Sequence, residues 1–170
     1  MITAAPPNSV RSTTKSRVLS VLVQDHPGVL SRVSGMIRRR GFNIQSLSVG
    51  PSDRPGRSRM TLAVDAGHAE VDQVEKQLDR LIEVIEIEDL TDRPMILREL
   101  AIVKLEAAGP QREKLVAAVD RFGGRVVEAN PKTIVVEVSG DFDKVERFLE
   151  LLRPYGIVDL ARSGPMAMSR

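Results

Sequence analysis

Residues 17–33 read Arg17-Val18-Leu19-Ser20-Val21-Leu22-Val23-Gln24-Asp25-His26-Pro27-Gly28-Val29-Leu30-Ser31-Arg32-Val33. The run from Val18 to Val23 is short, apolar and β-branched, so it predicts a buried strand. Asp25-His26-Pro27-Gly28 stops it. Val29, Leu30, Val33, Met36 and Ile37 then recur at helical spacing. Arg38, Arg39 and Arg40 end that helix, where cations suit the carbonyl end of the dipole. Gly41 stands where a C-terminal cap is expected. Outward from this stretch, Ile44 to Val49 reads as a strand and Pro51 to Gly56 as a turn-rich loop. Met60, Leu62 and Val64 alternate, which gives a strand with one buried face. Val71, Val74, Leu78 and Leu81 give a second helix, and Val84, Ile85 and Ile87 a fourth strand.

The order is β-α-β-β-α-β, and after Thr91-Asp92-Arg93-Pro94 it begins again. Leu100 to Leu105 reads as a strand, Leu115, Val116, Val119 and Phe122 as a helix ended by Gly123-Gly124. Val126-Val127 and Ile134 to Val138 flank the turn Asn130-Pro131-Lys132. Val145, Phe148, Leu149 and Leu152 line a helix before a last strand at Ile157 to Leu160. The expected fold class is α+β, two ferredoxin-like βαββαβ domains in tandem. The expected divisions are a disordered tail over 1–16, a first domain over 17–91, a linker over 92–97, a second domain over 98–164 and a tail over 165–170. Strand order 4-1-3-2 puts Ile44–Gly50 at an edge, and an open edge pairs readily with another chain. The first unit is therefore expected to dimerise edge to edge.

Of the 170 residues, 42% are apolar and 28% charged, which suits a globular domain or two with a filled core. The formal charge is +2, too near balance to point to nucleic acid or an anionic membrane. With no cysteine, disulfides, thiolate catalysis and Cys-ligated metals are excluded. No apolar run approaches the roughly 18–20 residues that span a bilayer. Met1 to Lys15 has no apolar stretch of signal-peptide length, and a cytoplasmic location is the expectation.

His26 and His68 lie in different segments and in no recognisable metal spacing. Asp25-His26 are adjacent, and adjacent side chains rarely face one way, so His26 reads as a surface residue. Glu86, Glu88 and Asp89 read as a solvated charge cluster. No G-x-S-x-G, P-loop or G-x-G-x-x-G occurs, and no active site emerges. The aromatic residues are Phe42, Phe122, Phe142, Phe148 and Tyr155, too few and too scattered for a base-stacking platform.

A small-ligand site is the remaining chemistry. At the start of the first helix the N–H groups of Gly28, Val29 and Leu30 lack intrahelical acceptors. With the helix dipole they suit a carboxylate. Gly28 permits close approach. Asp25 caps the helix or pairs with an ammonium, and Asn43 can both donate and accept. A site for a carboxylate and an amine describes an amino acid. The same residues also read as an ordinary cap, helix starter and turn, and the pattern alone leaves both open.

Longer stretches resolve more. Leu19 to Val23, Asp25-His26-Pro27-Gly28-Val29-Leu30-Ser31-Arg32-Val33, Arg39-Arg40-Gly41-Phe42-Asn43-Ile44-Gln45-Ser46-Leu47-Ser48-Val49-Gly50 and Ser58-Arg59-Met60-Thr61 closely resemble the small regulatory subunits of acetolactate synthase. Lys76-Gln77-Leu78, Arg98-Glu99-Leu100-Ala101 and Ala161-Arg162-Ser163-Gly164 extend the likeness over about 17–164. R-G-F-N-I-x-S-L together with S-R-M-T is specific to this family, whereas D-x-P-G-V-L alone marks the wider ACT-domain superfamily. Met36-Ile37 stands where family members often have Leu-Phe, a volume-tolerant core change.

The resemblance implies a noncatalytic cytoplasmic subunit with an N-terminal ACT domain and a ferredoxin-like C-terminal domain. It implies binding to a separate catalytic subunit, activation of it, and feedback inhibition by a branched-chain amino acid, usually valine, with leucine or isoleucine as the other candidates. Thiamine diphosphate, FAD and magnesium are expected on that partner and none on this chain. The family's effector positions fall on Asp25, Gly28, Val29 and Leu30 of one chain and Asn43 and Ile44 of its neighbour. A stand-alone amino-acid-sensing ACT module that regulates transcription or another enzyme is the alternative reading.

Overall fold

The computed structural model describes residues 16–65, 68–107 and 109–170. The tail expected over 1–16 thus lies outside the described residues except for Ser16. The first unit runs β1 (Ser16–Gln24), α1 (Val29–Arg39), β2 (Asn43–Pro51), β3 (Arg57–Asp65), α2 (His68–Leu78) and β4 (Val84–Asp89). Its antiparallel strands lie in the order β2-β3-β1-β4, so β2 is at an edge as expected. Alternation sends Leu19, Val21 and Val23 of β1 and Met60, Leu62 and Val64 of β3 to one face. There they meet Val29, Val33 and Ile37 of α1 and Val71, Val74 and Leu78 of α2. Full burial of each such side chain stabilises by about 1.5–3 kcal/mol.

The second unit runs β5 (Met95–Glu106), α3 (Gln111–Phe122), β6 (Arg125–Ala129), β7 (Thr133–Gly140), α4 (Phe142–Leu152), a single 3₁₀ turn, β8 (Ile157–Arg162) and β9 (Met166–Ser169). The order β6-β7-β5-β8 repeats the first sheet. Its core centres on Phe148, whose ring centroid lies 5.3 Å from that of Phe122. A Cβ on Gly124 would fall 2.8 Å from the Phe148 ring, so a glycine is required there. The Asp141 carboxylate caps α4 by accepting from the Lys144 N–H at 2.8 Å.

The expected linker and second tail carry structure instead. Met95 opens β5, and Met95 to Arg98 pair with Ser169 to Met166 of β9. This two-stranded piece lies on the face of the first sheet opposite its helices. Ala167, Met95 and Leu97 pack there against Val18 and Leu90. The Ala167 N–H donates to Thr61 Oγ1 at 3.2 Å. A Cβ on Gly164 would stand 3.2 Å from Ser46 Cβ of β2, so the second unit also reaches the edge strand.

Ion pairs tie elements together within each unit. Arg17, nearly buried, donates to Asp89 at 2.5 Å and to Asp92 at 2.7 Å. Asp89, expected on a solvated surface, also accepts from the Thr91 N–H and hydroxyl. Burial pushes the Asp89 carboxyl up, but the hydrogen bonds from Thr91 and Arg17 outweigh it and hold it below the usual carboxylate range. Arg162 bridges Glu99 of β5 and Glu146 of α4. It also lies over the Phe142 ring, 5.7 Å from its centroid.

Two outcomes are expected. Because the folded Asp89 carboxyl titrates below its unfolded value, its contribution is complete above about pH 4 and lost as pH falls through the lower folded value. In acid titrations followed by circular dichroism, Asp89→Asn should show a shallower loss of stability below that pH than the native chain. Parallel curves would remove Asp89 from the acid response. Ala167→Asp should place an unpaired charge between the units and cost about 3 kcal/mol in urea unfolding. It should also expose the 92–98 segment to protease.

Candidate functional site

α1 begins without a side-chain cap. Its N-cap position is Gly28, at φ 94°, a left-handed conformation that favours glycine. Asp25 is therefore not the cap. Its N–H donates to Gly56 O at 2.9 Å, which ties the turn to the start of β3, and its exposed carboxylate accepts no hydrogen bond from the described residues. The N–H groups of Gly28, Leu30 and Ser31 have no backbone acceptor among the described residues, and that of Val29 reaches His26 O only at 3.5 Å. No atom lies within 4 Å of where a Gly28 Cβ would be, so the space above the turn is open.

The other predicted site residues divide by burial. The Val29 side chain is in the core, so only its backbone faces outward. Leu30 is 45% exposed. His26 is exposed, its Nδ1 3.2 Å from Pro27 O, with no bond to the Asp25 carboxylate. Asn43 is exposed at the start of β2, and Ile44 leans partly on the core. An open groove of about 460 Å³ joins Asn43, Ile44 and Phe42 to Ser31, Ser34, Gly35 and Arg38 on α1.

Strand register separates the two sets. Gln24, just before Asp25, pairs with Arg57, while Asn43 pairs with Asp65. These are the two ends of nine-residue β3. At about 3.3 Å per residue, the ends lie roughly 26 Å apart. Asp25, Gly28, Val29 and Leu30 thus cluster at one end of the sheet, and Asn43 and Ile44 at the other.

Two further residues stand at the turn. Arg32, in the first turn of α1, pairs with Glu83, which is almost wholly buried. The Gln24 N–H donates to Glu83 O at 2.9 Å. Sequence reasoning passed over this pair because its members lie 51 positions apart. The one available signal was an acid between Ile82 and Val84 at the mouth of a strand. Among the described residues no group of three or more His, Asp or Glu is placed to hold a metal ion, and no helix is long and apolar enough to cross a membrane.

Comparison with known proteins places these features. Residues 19–86 match the model of the AHAS small subunit-like ACT domain, and residues 98–170 that of the small subunit of acetolactate synthase. The probable acetolactate synthase small subunit of Methanothermobacter thermautotrophicus is 44% identical over 156 residues, covering 91% of this chain and 93% of its own. A putative acetolactate synthase small subunit of Mycobacterium tuberculosis is 43% identical, covering 92% and 93%. The crystal structure of the acetolactate synthase small subunit from Thermotoga maritima superposes with a TM-score of 0.85 at 32% identity, covering 92% of this chain and 98% of that one. With the tandem fold and the uncapped glycine turn, these matches show that the chain belongs to the family of acetolactate synthase small subunits.

Proposed function

We propose that this chain is the noncatalytic regulatory subunit of an acetolactate synthase. It binds the catalytic subunit, activates it, and makes it sensitive to a branched-chain amino acid, valine in the first instance. Thiamine diphosphate, FAD and magnesium belong to the catalytic partner in this reading. The observation that supports it is the β3 register, which sets Asp25–Leu30 and Asn43–Ile44 at opposite ends of one sheet. Two copies related by a twofold axis, with their β2 edges antiparallel, bring Asn43 of one chain to the Asp25–Leu30 turn of the other. The composition of β2 favours that pairing. Asn43 to Pro51 contains no charged residue, whereas β6, the matching edge of the second unit, carries Arg125 and Glu128.

In that dimer the effector's carboxylate takes the free N–H groups of the α1 turn, aided by the helix dipole. Its ammonium pairs with the Asp25 carboxylate. Asn43 of the neighbour exchanges hydrogen bonds with the ligand, and Leu30 and the neighbour's Ile44 border its side chain. A ligand held by both chains biases how they pack, and that bias reaches the catalytic subunit as a coupling of about 1–3 kcal/mol.

Gly28→Asp should abolish feedback inhibition of the reconstituted holoenzyme while activation survives. The left-handed turn adds a strain of roughly 1–2 kcal/mol for any side chain, so Gly28→Asn is the control that carries the strain without the charge. Inhibition intact in the Asp variant, or equally lost in both, would remove the carboxylate role of the turn. Dimers mixed from tagged Gly28→Asp and Asn43→Ala chains test the shared site. One of their two sites collects both lesions and the other is native, so calorimetry should recover about half the native stoichiometry at native affinity. No recovery would place the effector site within one chain.

A further inference from the structure

The turn that starts α1 has a buried anion beside it. Glu83 has a side chain only 5% exposed. One of its carboxylate oxygens accepts from Arg32; the other, Oε2, is buried with no hydrogen-bond partner. The carboxylate is tied to the first turn of α1 by Arg32, and two bonds hold the backbone of residues 82 and 83 against Gln24. The Gln24 N–H donates to Glu83 O, and the Gln24 amide reaches Ile82 O at 3.4 Å. Gln24 is the residue before Asp25. Arg32 in turn donates its own N–H to Gly28 O at 3.0 Å, so its backbone belongs to the same turn. Its side chain is 62% exposed.

A carboxylate held near a helix N-terminus opposes the approach of a second anion because like charges repel, which offsets the attraction of the helix dipole. Neutralised by Arg32, it does so far less. We propose that Arg32 sets the effector affinity of the α1 turn by cancelling the charge of Glu83, a role that no effector contact of its own requires. The proposal rests on the reading of the Asp25–Leu30 turn as the carboxylate site. Arg32 is thus a positioning residue in the electrostatic sense: it acts on the ligand through Glu83.

Charge cancellation and simple bracing of the helix differ in sign. If Arg32 cancels charge, Arg32→Met leaves a bare buried carboxylate at the turn and weakens effector binding by about tenfold or more. Glu83→Gln keeps the shape and the backbone bond from Gln24. It frees the cation, so binding stays equal or becomes a few-fold tighter. The double variant returns near native affinity. If the pair merely braces α1, both single variants weaken binding and the double variant does not recover.

The measurement is calorimetric titration of the full-length chain and its three variants with valine, leucine and isoleucine. Thermal unfolding is recorded for each variant. Should Arg32→Met not fold, Glu83→Gln and the double variant decide alone: weakening in both overturns the proposal. Equal affinity in all four proteins also overturns it. A native chain that binds none of the three amino acids overturns the effector reading itself, and this proposal with it.

Discussion

The β1–β3 ladder governs everything else in this molecule. It pairs nine residues on each strand, from Ser16 with Asp65 to Gln24 with Arg57. A slip of β1 by one residue would turn Leu19, Val21 and Val23 out of the core and Ser20 into it, and a slip of β3 would do the same to Met60, Leu62 and Val64, with Thr61 entering. Because β1 and β3 are central, the same ladder leaves β2 at the edge. It also decides which end of the sheet the glycine turn occupies. And it aims Thr61 away from the helices, where its hydroxyl meets the backbone of β9. Core, edge, turn and second unit therefore depend on one register.

The two units share a topology and differ in how they treat their surfaces. In the second, α4 has an aspartate cap, and the edge strand β6 carries an Arg125–Glu137 ion pair to its neighbour. In the first, α1 starts uncapped and β2 is polar but uncharged. α3, which takes the place of α1 in the second unit, also starts without a side-chain cap, so the contrast lies in α4 and in the charge of the edge strands. A duplicated fold thus presents one uncharged edge strand and one charged one.

Most of the fold was legible in the sequence because it is local. Period-two runs such as Met60-Leu62-Val64 and helical spacing such as Val29-Val33-Ile37 name their own element. Gly41, at φ 78°, ends α1 where the sequence places it. What escaped is non-local. Met166-Ala167-Met168-Ser169 has no periodic pattern; it is a strand because Met95 to Arg98 lie beside it. Asp89 looked like surface charge, and its burial depends on Arg17, 72 positions away. In the candidate site, glycine and free N–H groups are local facts, and Asp25 to Leu30 offered both an anion-binding turn and an ordinary helix start. Asp25 was nevertheless open to reading as the cap. Only the backbone conformation at Gly28 assigns that position. Glu83 gave no such notice, because an acid before an apolar run is ordinary until its burial is known.

The twelve residues of β5 are one unbroken strand that serves two sheets. Its first four residues pair with β9 on the back of the first unit, and from Glu99 onward it pairs with β7 in the second. The repeat in the sequence suggests two exchangeable modules, yet the strand spans the seam between them. A recombination event that imported a foreign second unit would have to bring a β5–β9 pair that fits the recipient's Val18, Thr61 and Leu90. The boundary between the halves is therefore a packed seam, and neither half can be exchanged without refitting the other's side of it.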